Sequence, residues 1–111
     1  MIASLLLEPG RLELRDVDIP KAGPGEVVVR VRTALTCGTD LKAFRRGHPK
    51  LAMPGPFGHE FSGDVHEVGE GVTKFKPGDQ IMTAPSAPCG DCIYCRKDQE
   101  NMCPTVMDQM V

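Results

Sequence analysis

Cysteines dominate the residues that could perform chemistry, and four of the five lie between residues 89 and 103. These four are Cys89, Cys92, Cys95 and Cys103. Two residues separate Cys89 from Cys92, and two separate Cys92 from Cys95, so the sulfur atoms can converge on one centre. Gly90 permits the tight backbone that this convergence requires. Four thiolates in a closed tetrahedron suit structural Zn²⁺, whose binding would stabilise a segment poor in apolar residues. The spacing therefore predicts a structural-zinc lobe at residues 86–104, with no open position for a substrate.

An iron–sulfur cluster is the main alternative, because bacterial ferredoxins use a similar run that ends in Cys-Pro, as Cys103-Pro104 does here. In that run the last cysteine follows its neighbour much more closely than Cys103 follows Cys95, so the spacing favours zinc. Disulfides are disfavoured, since the number of cysteines is odd and the apolar residues 1–7 lack the basic region and cleavage site of a secretory signal. Reduced, metal-bound thiols predict a cytoplasmic protein.

A second group of metal-binding residue types lies earlier in the chain. Cys37-Gly38-Thr39-Asp40 follows an apolar strand pattern, and Gly58-His59-Glu60 follows a proline-rich loop. Read separately, a lone cysteine is usually a small buried apolar residue and a lone histidine a hydrogen-bonded one. Together with Phe61-Ser62-Gly63, Gly69, Val72 and the cysteine run downstream, they closely resemble the zinc signature of medium-chain zinc-dependent alcohol dehydrogenases (alcohol, polyol and threonine dehydrogenases).

This resemblance implies a fold and a set of roles. The fold would be all-β, a GroES-like β-barrel of short strands that forms the N-terminal part of the family's catalytic domain. Cys37 and His59 would bind a catalytic zinc, with Glu60 as a further ligand or directly behind it. Thr39 would hydrogen-bond the substrate oxygen and pass its proton outward, and Asp40 would fix the His59 ring through its second nitrogen. The zinc would polarise an alcohol or carbonyl oxygen while hydride moves to or from NAD or NADP.

The sequence departs from the family pattern in three ways. Lys42 stands where many members have a histidine that ends the proton relay, and Asp98 stands where the lobe often has a glycine. Asp tolerates the left-handed conformation, so zinc binding should survive. No Gly-x-Gly-x-x-Gly opens a helix in these 111 residues, and the Rossmann domain that the family uses for NAD(P) is absent from this sequence. We therefore expect residues 1–111 to be an incomplete GroES-like N-terminal domain that binds zinc but does not turn over substrate alone.

The elements that must position these residues are short strands, since 12 glycines and 10 prolines leave no long helical period before residue 90. Alternating residues predict a hairpin at 3–7 and 11–15 and strands within 26–32, 57–68 and 80–83. In the strand predicted within residues 26–32, Val27, Val29 and Val31 should share one face. Asp40 is the expected N-cap of one helical turn at 41–44. Residues 49–56 should form a loop without regular ladder hydrogen bonds.

Composition excludes some partners. Lys and Arg total 13 against 15 Asp and Glu, aromatics are 5% and Trp is absent, so neither the charge nor the stacking surface of a nucleic-acid binder is present. No membrane segment is evident. A stand-alone GroES-like scaffold with structural zinc is the alternative function, although a scaffold has no use for an open metal site. Strand edges and apolar faces meant for missing parts of the domain predict self-association.

Overall fold

The first residues fold as an antiparallel hairpin in the computed structural model, which describes the backbone of residues 1–109 and the side chains of residues 1–106. Strand β1 (Ile2–Glu8) pairs with β2 (Arg11–Asp16). Gly10 turns the chain with a φ of 82°, a conformation that glycine adopts without strain. The predicted hairpin is therefore confirmed.

A second sheet contains the valine-rich segment. Strands β3 (Val27–Leu35), β5 (Glu60–Val68) and β6 (Gln80–Met82) are antiparallel in the order β3-β5-β6. Two register shifts interrupt the β3–β5 ladder, between Val28 and Val29 and between Val31 and Thr33. Each shift breaks the period of two, so burial does not alternate as expected and Val31 is 51% exposed.

The segment between β3 and β5 forms a helix and returns to the first sheet. Helix α1 (Gly38–Arg46) is longer than the predicted single turn. The proline-rich loop then contributes a two-residue strand, β4 (Gly55–Pro56), which pairs with Leu5 and Leu6 of β1. The expectation that this loop makes no ladder contacts was wrong at these two residues, where Pro56 lies on the edge of the sheet, a position that tolerates proline.

The cysteine-rich segment has little regular structure. Two short 3₁₀ turns, Cys95–Lys97 and Glu100–Met102, precede helix α2 (Pro104–Gln109). The predominance of strands with little helix agrees with the expected class, although the ladders of residues 1–109 form two three-stranded sheets rather than one closed ladder. No helix in this part of the chain has the length and apolar run that a membrane crossing needs.

The described apolar core is small. It contains the following buried residues: Leu6, Ala43, Val65, Cys103 and Val106. Several large apolar side chains of the two sheets remain exposed, with Met82 at 83%, Leu14 at 72% and Leu35 at 64%. Because sheets bury their apolar faces against other elements, this exposure indicates surfaces suited to contact with further protein.

Candidate metal centres

The four late cysteines converge. Their Sγ atoms all lie within 4.8 Å of one another, with 4.0 Å between Cys89 and Cys95 and 3.5 Å between Cys92 and Cys95. Tetrahedral zinc with Zn–S bonds of about 2.3 Å requires sulfur atoms about 3.8 Å apart. The four thiolates of the predicted lobe therefore fit a zinc ion with little rearrangement.

Local backbone geometry brings these sulfur atoms together. Gly90 has a φ of 76°, and Asp98 adopts the left-handed conformation with a φ of 55°. Asp98 lies where the family often has glycine, so the expectation that Asp would tolerate this conformation is confirmed. Cys103 is fully buried, whereas Cys89 is exposed. The last cysteine of the lobe is thus far better shielded from solvent than the first.

Hydrogen bonds and burial separate the pKa values of the thiols. The backbone N–H of Cys89 is 3.4 Å from Cys103 Sγ, and hydrogen bonds from it and from Val106 lower the pKa of Cys103 to about 6. The N–H groups of Asp91 and Cys92 lower the pKa of Cys89. Burial and the neighbouring Cys92 thiol raise the pKa of Cys95 to about 12. Crowded sulfur atoms therefore do not all ionise together without a cation between them.

The earlier group also converges. Cys37, Asp40 and His59 place one donor atom each within 4.8 Å of the others. Cys37 Sγ is 3.4 Å from His59 Nε2, close to the separation of about 3.6 Å that tetrahedral zinc would impose on a sulfur and a nitrogen ligand. On the other side of the ring, His59 Nδ1 is 3.1 Å from Asp40 Oδ1. The imidazole thus lies between a thiol and a carboxylate.

The start of helix α1 fixes two of these donors. Cys37 is the N-cap, and its Sγ accepts a hydrogen bond from the Thr39 N–H at 3.3 Å. Asp40 Oδ2 accepts from the Cys37 N–H at 2.8 Å, which completes a capping box. The expectation that Asp40 caps the helix was wrong, because the cap is one turn earlier at Cys37. Asp40 is only 4% exposed. Its Oδ2 is held by the Cys37 N–H and its Oδ1 contacts His59 Nδ1.

Strand β5 positions the third donor. His59 directly precedes Glu60, the first residue of β5, and the chain enters this strand through Gly58 with a φ of 107°. Glu60 Oε1 is 3.9 Å from His59 Nε2. Glu60 therefore faces the same ring nitrogen as Cys37, but it lies outside the three donors that converge most closely.

A small cleft opens beside this group. It has a volume of about 140 Å³ and is lined by Thr39, Asp40 and Ala43 of α1, by Leu51 and by residues 56–59. Thr39 and Asp40 both line the cleft, and the roles that the family resemblance implies for them stay predictions; the apolar lining was missed. The spacing of Asp40 and Ala43, three residues apart on a helix, was the available signal for a shared face. Of the other histidines, His66 is exposed, and His48 accepts a hydrogen bond from the Lys50 N–H.

Comparison with known proteins identifies the family. Residues 23–110 match the model of the alcohol dehydrogenase GroES-like domain. The chain belongs to this family. It is 44% identical over 91 residues to acryloyl-coenzyme A reductase of Metallosphaera sedula, an alignment that covers 82% of this chain and 27% of that protein. It is 37% identical over 107 residues to S-(hydroxymethyl)glutathione dehydrogenase of Escherichia coli, covering 96% of this chain and 29% of that protein.

Solved structures of the family have the same fold. The cobalt- and zinc-bound thermostable alcohol dehydrogenase of Pyrobaculum aerophilum superposes with a TM-score of 0.88 at 33% identity, covering 97% of this chain and 33% of that one. The predicted GroES-like fold and membership of the zinc-dependent alcohol dehydrogenases are thus confirmed. This family is one of oxidoreductases. The chain spans about a third or less of the length of each of these relatives.

Proposed function

We propose that residues 1–111 form the zinc-binding part of an oxidoreductase that moves hydride between an alcohol or polyol and NAD or NADP. The lobe at 86–104 binds a structural zinc, and Cys37 and His59 bind a catalytic zinc, with Glu60 beside them. The observation that carries the proposal is the orientation of His59, which presents Nε2 to the Cys37 sulfur and Nδ1 to the Asp40 carboxylate.

The contacts of Asp40 support this assignment. A carboxylate accepts hydrogen bonds, so Asp40 holds the proton of His59 on Nδ1 and leaves the lone pair of Nε2 directed toward Cys37 Sγ. Its second oxygen accepts from the Cys37 N–H. One buried carboxylate therefore orients both donors, which is what a metal site requires and a scaffold does not. This is the reason to prefer the enzyme over a stand-alone scaffold.

The residues around the cleft have separable tasks. A zinc held by Cys37 and His59 would supply a Lewis acid for the substrate oxygen. Thr39, half-buried in the cleft wall, would hydrogen-bond that oxygen, accept its proton and release its own hydroxyl proton outward. The Thr39 N–H donates to the Cys37 sulfur and so disperses its charge. Ala43, Leu51 and Phe57 exclude water from the reacting end of the substrate.

Turnover requires more protein than these residues provide. Because the chain covers about a third or less of its relatives, we propose that it binds zinc alone, with lower affinity at Cys37 and His59 than in the lobe, and transfers no hydride alone. The exposed apolar faces of β2, β3 and β6 support the further proposal that the isolated chain self-associates. A monodisperse monomer in analytical ultracentrifugation would exclude self-association.

Metal content tests the two sites separately. The unaltered chain should bind two zinc ions, and His59→Ala should bind one. The matched control is His66→Ala, which removes an exposed histidine from β5, the strand that begins directly after His59, and should still bind two. Cys92→Ser should lose the lobe zinc and keep the other. If His59→Ala and the unaltered chain hold the same number of zinc ions at every zinc concentration, the catalytic site is refuted.

A further inference from the structure

A positively charged segment borders the cleft. Lys42, Arg45, Arg46 and Lys50 are four of the chain's 13 Lys and Arg, and residues 41–59 contain no Asp or Glu. The rest of the chain therefore has nine Lys and Arg against all 15 Asp and Glu. The same acid-free segment supplies most of the cleft wall, from Ala43 to His59. Positive charge is thus concentrated in the chain segment that supplies most of the cleft wall, although none of these four side chains is itself part of the lining.

Helix geometry aligns part of this charge with the cleft. Thr39, Lys42 and Arg46 are spaced three and four residues apart, so they share one flank of α1. Thr39 lines the cleft, and Lys42 and Arg46 are exposed. A rise of about 1.5 Å per residue places Lys42 about 4.5 Å and Arg46 about 10.5 Å from Thr39 along the helix axis. The two cations therefore follow Thr39 along the same flank of α1.

Neighbouring acids leave these cations available. Among the residues that the structure describes, no carboxylate forms an ion pair with Lys42, Arg45 or Arg46, whereas Arg32 and Lys76 each have one. The turn after β1 packs on the end of α1, where the Gly10 N–H donates to the Phe44 carbonyl at 2.6 Å. Glu8, the acid beside that turn, lies 3.7 Å from Arg11 instead. Asp40, the acid that lines the cleft, contacts His59 Nδ1, and Glu60 lies 3.9 Å from His59 Nε2.

The size of the cleft limits what it can hold. Its volume of about 140 Å³ is below the range of roughly 300–1,000 Å³ that is typical of pockets for drug-sized ligands. Ala43, Leu51, Pro56 and Phe57 make much of its wall apolar. A reacting end of a few carbon atoms fits, and the remainder of a larger ligand lies outside the cleft, where the flank that carries Lys42 and Arg46 offers exposed positive charge.

We infer that the substrate is a small alcohol or carbonyl compound that carries a phosphate or carboxylate, which Lys42 and Arg46 bind while the reacting end occupies the cleft. A guanidinium makes two parallel hydrogen bonds to either anion, and an ammonium adds a point charge. This inference rests on the proposed function, because Thr39 and His59 define the reacting end. A phosphate of the nicotinamide cofactor has the same chemistry, so the test must distinguish the two sources.

The test compares a charged and a neutral alcohol on the zinc-loaded chain. In NMR titrations at low ionic strength, 4-hydroxybutyl phosphate should shift the amide signals of His59 and of residues 42–46 and bind about tenfold more tightly than 1-butanol, a gain typical of two exposed charge pairs. Rising salt should remove the advantage. Lys42→Ala/Arg46→Ala should abolish it. The matched control is Lys21→Ala/Lys74→Ala, which removes two exposed positive charges elsewhere and should preserve it.

Each other outcome overturns the inference. It fails if 4-hydroxybutyl phosphate does not bind, if it gains nothing over 1-butanol, or if the two double variants weaken it equally. It also fails if adenosine 5′-diphosphate binds the flank more tightly while 4-hydroxybutyl phosphate leaves the His59 amide unchanged, since the flank then serves the cofactor. Zinc content read in parallel separates the proposals. A second zinc bound without a phosphate advantage refutes only this inference, whereas loss of the second zinc refutes the proposed function.

Discussion

Asp40→Asn should weaken zinc binding at Cys37 and His59 while leaving the helix start intact. In the unaltered chain, Asp40 Oδ2 accepts a hydrogen bond from the Cys37 N–H at 2.8 Å. The carbonyl oxygen of asparagine can take the place of Oδ2 and accept the same hydrogen bond. Its NH₂ group then replaces Oδ1, which is 3.1 Å from His59 Nδ1. Two donors would face each other, so the ring avoids the repulsion by moving its proton to Nε2, the nitrogen that the metal needs. The substitution therefore alters the tautomer and little else.

The magnitude follows from the bond that is lost. Loss of a hydrogen bond to a charged group costs about 1.5–3 kcal/mol, and loss of the partner that orients a metal-binding histidine typically costs about 10- to 100-fold in metal affinity. These ranges agree, since tenfold corresponds to about 1.4 kcal/mol. We expect the dissociation constant of the second zinc to rise about 10- to 100-fold. The lobe zinc, bound by four cysteines elsewhere, should be unaffected.

Competition with a chromophoric zinc chelator measures both sites in one titration, so the lobe serves as an internal reference. Asp18→Asn, which makes the same change at an exposed position, is the control. Circular dichroism confirms that both variants are folded. Asp40 does not orient His59 for zinc if Asp40→Asn binds the second zinc as tightly as the control does, or if the lobe site weakens to the same extent.

Three further predictions concern the lobe, the core and the surface. Cys103→Ser should lose the lobe zinc and release one equivalent on metal analysis, because it removes the buried ligand; retention of two zinc ions would contradict this. Gly69→Ala should destabilise the chain by about 3 kcal/mol in urea unfolding, since its Cβ would collide with the Gly23 carbonyl oxygen, and an unchanged midpoint would count against the packing described. Hydrogen bonds from the Lys76 side chain and backbone hold the pKa of Asp79 below its usual value. Lys76→Ala should raise the pKa of Asp79 in carboxyl NMR titrations. The variant should then lose less folding stability than the unaltered chain as the pH falls through the folded-state pKa of Asp79. An unchanged pKa would contradict this prediction.

The strand framework was predictable because its pattern is local. The alternation of residues in the hairpin, which predicted β1 and β2, is set by neighbouring residues. The bulges between β3 and β5 could not be predicted from the sequence, since they depend on how two distant strands pair. For the same reason the pairing of Pro56 with Leu5 could not be read from the proline-rich loop.

The candidate site was predictable in its residues but not in its geometry. Cysteine spacing alone predicted the lobe, and resemblance to a family predicted Cys37 and His59. The capping role of Cys37 was missed because cysteine is not a common N-cap and Asp40 is a favoured one. The structure shows that both residues take part in one capping box, with Asp40 left free to contact His59 through its other oxygen.

The central claim is that two zinc ions occupy two separate groups of residues in this chain. Anomalous diffraction at the zinc absorption edge, from crystals of the zinc-loaded chain, tests it directly. We expect one peak among the sulfur atoms of the four lobe cysteines and a second between Cys37 Sγ and His59 Nε2. A lobe peak with no density between Cys37 and His59 at saturating zinc, or zinc bound to His59 through Nδ1, would contradict it.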